Sequence, residues 1–168
     1  MSVASKAPEP AGTSSPDVLA QNLSWLLSQA SHALTTEMTA ALEGIGLLPR
    51  GHCVLATALT GERTQTELAH LVGLDKTTMV VTLDELERNG LAERRPSPED
   101  RRVRVVAVTD AGRRKVAEAD EVVTRVQRDV LAALPEDRRE ALLEGLADLL
   151  GGPLASPAAC ARPVRRRR

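Results

Sequence analysis

Hydrophobic positions recur with a helical period through most of the chain, and the places where that period breaks outline its architecture. From Asp17 onward, apolar side chains fall at Val18/Leu19, Leu23, Leu26/Leu27, Ala30, Ala33/Leu34, Met38 and Ala41/Leu42. Steps of three and four residues predict one long amphipathic helix, capped by Asp17 and ended by Gly44 and Gly46. A shorter helix, Arg50 to about Leu59, carries Cys53, Val54, Leu55 and Ala58 on its apolar side and closes at Gly61. Thr64 and Glu67 stand at capping-box spacing, which opens a third helix that stops at Gly73. Asp75 caps the next, Lys76 to Asn89, with Met79, Val80, Leu83 and Leu86 facing inward. Gly90 follows, where a left-handed backbone is cheapest for glycine.

After Gly90 the period changes. Leu91 to Arg95 and Arg102 to Thr109 predict two strands around the loop Pro96-Ser97-Pro98-Glu99-Asp100. In the second strand Val103, Val105 and Ala107 alternate with Arg104, Val106 and Val108, the two-residue rhythm of a pleated ribbon. The helical period returns from Asp110 to about Leu134 and again from Pro135, with Leu142/Leu143, Leu146 and Leu149/Leu150 as the last apolar stripe. Residues 1–16, rich in Pro, Ser, Ala and Gly, predict a disordered leader, and 151–168 a disordered tail ending in four arginines. The fold class expected is mainly α, one domain over 17–150 with a two-stranded β-wing between helices. The first helix has more apolar face than so small a domain covers, so a second subunit is its natural cover.

Composition narrows the function classes. The chain has 168 residues, 42% of them hydrophobic, yet no Phe, no Tyr and a single Trp, Trp25. Its core must come from Leu, Val and Ala, and it lacks the aromatics on which single-stranded nucleic acid is stacked. Of 22 basic residues, Arg162 and Arg165 to Arg168 lie in the last seven positions, so 17 remain elsewhere against 23 acidic ones. A body that acidic binds DNA only through local patches. Cys53 and Cys160 are too few for a disulfide framework, and Cys53, beside Val54 and Leu55, is expected to be a buried structural thiol. His32, His52 and His70 lack metal-ligand spacing, so no metal is expected. No apolar run approaches a membrane span and no secretory signal precedes the first helix, so the expected location is cytoplasmic. Phosphate loops, nucleophile elbows and H-E-x-x-H are absent, so neither an enzyme nor a cofactor is expected.

What remains is the stretch from Thr64 to Thr109: two short helices joined by a tight turn, then an arginine-rich hairpin. That order suits one helix in a DNA major groove with a ribbon along the adjacent minor groove. Lys76, Thr77, Thr78 and Thr82 fall toward the N-terminal end and outer side of the second helix, where amides and hydroxyls suit phosphates and base edges. The wing offers Arg94, Arg95, Arg101, Arg102 and Arg104, and a guanidinium at its tip suits a narrow minor groove. Thr64 and Gln65, opening the first helix of the pair, complete the DNA-binding set.

At these residues the chain resembles the MarR family of multiple-antibiotic-resistance-type regulators. The matching segments are T-Q-x-E-L-A at Thr64 to Ala69, L-x-x-L-E-x-x-G-L at Leu83 to Leu91, E-R-R-P-x-P-E-D-R-R at Glu93 to Arg102, and V-x-x-T-x-x-G at Val106 to Gly112. The resemblance implies a homodimeric winged helix-turn-helix protein, its winged part at about 48–109 and its dimerisation helices at about 17–43 and 110–150. It further implies binding to a pseudo-palindromic operator on double-stranded DNA, usually as a repressor relieved by a small-molecule effector. By the same resemblance Lys76 to Thr82 would face the major groove, and Arg102 or Arg101 would enter the minor groove. Asp100 would orient that arginine, and Asp75 would pair with a wing arginine across the fold. Trp25 in the first helix would stack on an aromatic ligand whose polar edge meets Asp75 or a nearby arginine. Val81 and Glu85 stand mid-helix where some relatives carry arginines, and no cysteine lies in the first helix where peroxide-sensing relatives carry theirs. Two rival readings are a winged-helix protein-interaction module without DNA binding, consistent with the acidic body, and a small enzyme or ligand carrier on a helical dimer.

Overall fold

The computed structural model describes residues 19–156; the leader with its Asp17 cap, and the tail from 157 with Cys160 and the terminal arginines, lie outside them. Six helices and three short strands follow in the order α1 (Leu23–Glu43), α2 (Pro49–Ala58), β1 (Arg63–Thr64), α3 (Gln65–Leu71), α4 (Lys76–Arg88), β2 (Ala92–Pro96), β3 (Arg104–Val108), α5 (Asp110–Leu131) and α6 (Glu136–Gly151). The chain divides into two compact units, one ending at Asp120 and the other beginning at Glu121.

Most elements lie where their periodicity puts them, and the differences have local causes. Helix α1 starts at Leu23, not at Asp17: Asn22 takes the cap role, accepting from the Trp25 amide at 2.9 Å, and Leu19 to Gln21 form turns before it. The wing is part of a three-stranded antiparallel sheet in the order β1-β3-β2, where the sequence predicted two strands. Strand β1 pairs Arg63 with Val106 and Thr64 with Val105, while β2 runs from Ala92 opposite Val108 to Pro96 opposite Arg104. Two residues are too short to show alternation, so β1 has no periodic signature.

The first unit holds the core. Leu42, Val54, Leu55, Leu68, Met79 and Leu83 are each wholly buried, joined by Val105 and Val106 from the sheet and by Val116 and Ala119 from α5. Complete burial of one such side chain stabilises by about 1.5–3 kcal/mol. In the V-x-x-T-x-x-G segment, the Thr109 hydroxyl donates to the Gly90 carbonyl at 2.7 Å and accepts the Gly112 amide at 3.0 Å. Thr109 thereby caps α5 and ties it to the turn before β2. Gly112 sits so close to that turn that a Cβ there would lie 2.1 Å from the Leu91 carbonyl oxygen.

The second unit is the end of α5 and the whole of α6. No residue of α6 is buried, and Leu142, Leu143 and Leu150 are 43%, 54% and 65% exposed. In the first unit α1 behaves alike: of its 21 residues only Met38 and Leu42 are buried, and Leu23, Leu26 and Leu34 lie open.

Candidate nucleic-acid interface

The helix pair and the wing are fixed to each other by caps and by one arginine. At Thr64 the capping box is complete: its hydroxyl accepts the Glu67 amide at 3.2 Å, and its own amide donates to the Glu67 carboxylate at 2.7 Å. That amide, and then the Thr64 hydroxyl donating to the same carboxylate at 2.8 Å, hold the Glu67 carboxyl below the usual carboxylate range. Asp75 does the same for α4, accepting the Thr78 hydroxyl at 2.6 Å and the Thr78 amide at 2.9 Å, and its carboxyl is likewise lowered.

These caps correct two expectations. Asp75 does not pair with a wing arginine; its carboxylate is spent on its own helix. Nor are the hydroxyls of Thr64 and Thr78 free for a phosphate, since each is engaged with the carboxylate of its capping partner. A carboxylate already lies over the amides of the first turn of α4, where an anion would otherwise be drawn. Gln65 beside Thr64 is half-buried.

Thr82 is a third correction. It is 1% exposed, with its hydroxyl donating to the Thr78 carbonyl at 2.8 Å, and it stands with Met79, Leu83 and Leu86 on the buried side of α4. A threonine whose hydroxyl closes onto its own helix behaves as a small hydrophobe, so Thr82 belongs to the core and not to the groove-facing side. The outward row is instead Lys76, Thr77, Val81, Asp84 and Arg88, all exposed. Sequence reasoning set Val81 aside and passed over Arg88. Val81, 54% exposed on a helix that buries Met79, Leu83 and Leu86, is suited to the methyl group of thymine. An unexplained apolar residue on the polar side of the helical period was the available signal.

The wing sorts its arginines into two kinds. Arg94 reaches back to α4, pairing with Asp84 at 2.8 Å and with Glu87, and its amide donates to the same Glu87 carboxylate at 2.7 Å. That guanidinium is occupied in clamping β2 to α4 and is not available to DNA. Arg95 makes a half-exposed pair with Glu62 at 3.0 Å, and Arg104 donates to the Arg94 carbonyl. Arg101 and Arg102, at the exposed tip, make no side-chain ion pair among the described residues. Asp100 shapes that tip, accepting the Arg102 amide at 2.9 Å through its carboxylate and the Val103 amide at 2.9 Å through its carbonyl. It orients the backbone of Arg102 and leaves the guanidinium unpaired.

Elsewhere Cys53 is exposed, contrary to the expectation of a buried thiol. Its helix turns His52 inward instead: that imidazole bonds the Asp120 carboxylate at 2.7 Å with 12% of its side chain exposed. The hydrogen bond with Cys53 and the contact with Asp120 together raise the His52 pKa against the opposing effect of burial. Trp25 is half-buried, and neither it nor Asp75 lines the cavity that opens between α1, the turn before α2 and Glu85 of α4. Among the described residues no group of His, Cys, Asp or Glu is placed to hold a metal, and no helix is long and apolar enough to cross a membrane.

A capped helix pair followed by a sheet whose hairpin ends in unpaired arginines defines a winged helix-turn-helix protein. The MarR family model matches residues 59–103. The transcriptional repressor CouR, solved bound to a 23-mer DNA duplex, is 32% identical over 79% of this chain and 95% of its own, with a TM-score of 0.72. CouR from Rhodococcus jostii RHA1, solved with p-coumaroyl-CoA, is 27% identical over 87% of this chain and 100% of its own, at a TM-score of 0.71. MarR from E. coli shares the fold at 22% identity, over 76% of this chain and 96% of its own, with a TM-score of 0.68. The chain belongs to the MarR family of transcriptional regulators.

Proposed function

We propose that this chain is a homodimeric, sequence-specific DNA-binding regulator, a repressor that a small ligand releases from a pseudo-palindromic operator. The observation that carries the reading is the pairing of an outward row on α4 with two uncommitted arginines at the wing tip. Lys76 and Thr77 stand over the phosphates at the start of α4, Val81 meets the base edges with its methyls, and Arg88 reaches the backbone farther along. Arg102 and Arg101 enter the minor groove from the wing. Arg95 is a rim contact, released from Glu62 when a phosphate competes for it.

The exposed leucines of α1 and α6 support the dimer. They are apolar faces that their own chain leaves open, and a second copy covers them symmetrically. Two recognition helices then meet DNA about one helical turn, roughly 34 Å, apart. Residues 17–43 and 110–150 serve dimerisation and 48–109 DNA binding. The protein acts in the cytoplasm and catalyses no reaction.

The test is fluorescence anisotropy with the DNA upstream of its own gene, over a range of salt. Arg101→Ala and Arg102→Ala should each weaken binding by about 1–3 kcal/mol if they read a groove. Loss of a phosphate contact should flatten the logarithmic salt slope by about one unit. Wild-type affinity in both variants would rule out the wing assignment. Absence of any duplex binding would favour an interaction module on the acidic body.

A further inference from the structure

A cavity of about 740 Å³ is a groove with an unusual balance of hydrogen-bonding groups. Its floor includes Ala40, Leu47 and Leu48, and its polar edge carries His32, Thr35, Thr36, Thr39, Glu43 and Glu85. Two of the hydroxyls have spent their protons: Thr36 donates to the His32 carbonyl at 3.0 Å and Thr39 to the Thr35 carbonyl at 2.7 Å. What they turn outward is lone pairs. Glu43 forms no ion pair among the described residues, and Glu85 shares its charge with Arg50, which stands 3.2 Å away and does not line the groove. The polar edge is rich in acceptors and negative, over an apolar floor.

On α1 the groove faces away from the leucines that the proposed dimer covers. Helical residues advance by about 100° each, so His32, Thr36, Thr39 and Glu43 share one face of α1. Leu23, Leu26 and Leu34 fall on roughly the opposite face, and Met38 and Leu42 are buried between. Covering these leucines does not require covering the threonine face.

We infer that this groove binds a small organic cation, an aromatic or aliphatic amine whose ammonium group donates to Glu43, Glu85 and the threonine oxygens while its apolar body lies on Leu47 and Leu48. Charge complementarity selects that occupant: a carboxylate or phosphate entering here would face the unpaired Glu43 carboxylate and threonine lone pairs, with His32 and Thr35 the lining side chains able to donate to it. The groove is thus chemically unlike a site for the anionic thioester with which the relative from Rhodococcus was solved. Glu85 belongs to α4, so an ammonium competing with Arg50 for it loosens the α2–α4 tie and carries ligand binding to the recognition helix. This inference names the effector class for the regulator reading and rests on it only for that last step.

Three ligands with one carbon skeleton separate the charges: phenethylamine, 2-phenylethanol and phenylacetate, titrated by calorimetry into the full-length protein without DNA. The amine should bind at least tenfold more tightly than the other two. Glu43→Gln should reduce amine affinity by a similar factor while DNA affinity in the absence of amine stays at the wild-type level. Phenylacetate binding as well as the amine, or Glu43→Gln binding the amine as tightly as wild type, would overturn the inference. The DNA assay is read separately. Operator binding without amine binding removes the cation site and leaves the regulator intact, whereas amine binding without operator binding keeps the site and removes its regulatory role.

Discussion

Adding one methyl group at Gly112 tests how the wing is joined to the helix that follows it. A Cβ there would lie 2.1 Å from the Leu91 carbonyl oxygen and 2.7 Å from Val108 Cγ1, where ordinary contacts begin near 3.4 Å. The obstacle is largely backbone, so relief requires the first turn of α5 to retreat by about an ångström. That retreat stretches three bonds around one residue: Thr109 amide to Leu91 carbonyl at 3.1 Å, Thr109 hydroxyl to Gly90 carbonyl, and Gly112 amide to Thr109 hydroxyl. Overpacking of this kind costs about 1–3 kcal/mol, and each weakened bond adds about 0.5–1.5 kcal/mol. The helical preference of alanine over glycine offsets about 1 kcal/mol. Gly112→Ala should therefore destabilise by about 1.5–6.5 kcal/mol, each kcal/mol lowering Tm by about 2–4 °C in a chain of this size. The assay is urea and thermal unfolding at a fixed protein concentration, since the proposed dimerisation would make Tm depend on it. Gly145→Ala is the control, because a Cβ at that helical position of α6 meets nothing within 4 Å. It should hold stability constant or raise it by up to about 1 kcal/mol. A Gly112→Ala protein as stable as wild type would refute the close-approach argument.

Two further outcomes follow from the ion pairs. Arg94→Ala should lower stability by about 1–2 kcal/mol in urea unfolding, because Glu87 and Asp84 lose a partly buried partner; the salt slope of operator binding should not change, since no phosphate contact is lost. Arg94→Lys should not restore it, as one ammonium lacks the fork that spans both carboxylates. His52 has a raised pKa, so its contribution is complete below the unfolded value near 6.5 and fades as pH rises through the higher folded value. Tm measured from pH 5.5 to 8.5 should fall on the alkaline side by more in wild type than in Asp120→Asn; parallel profiles would sink that account.

The sequence disclosed features whose cause is local. Thr64 with Glu67, Asp75 before Lys76 and the change of period after Gly90 are events within a few residues, and caps, helices and ribbon stand where those signals put them. Contacts between distant residues were not legible. Arg94 looks like any wing arginine until the fold brings Asp84 and Glu87 beside it. Thr82 looks exposed because threonine is polar, yet its hydroxyl is satisfied one turn back and its methyl packs. Cys53 and His52 are neighbours in sequence with opposite fates, set by which of them meets α5. The groove beside α1 depends on which helix faces contribute acceptors, which no short motif records.

The outward row of α4 has a consequence for how such a regulator changes over generations. Lys76, Thr77, Val81 and Arg88 share their helix with the core yet contribute nothing to it, and exchanges at such positions usually shift stability by no more than about 0.5 kcal/mol. Operator preference can then drift, one exchange at a time, without any intermediate failing to fold. After gene duplication, two copies can part company in their target sites while keeping the same scaffold.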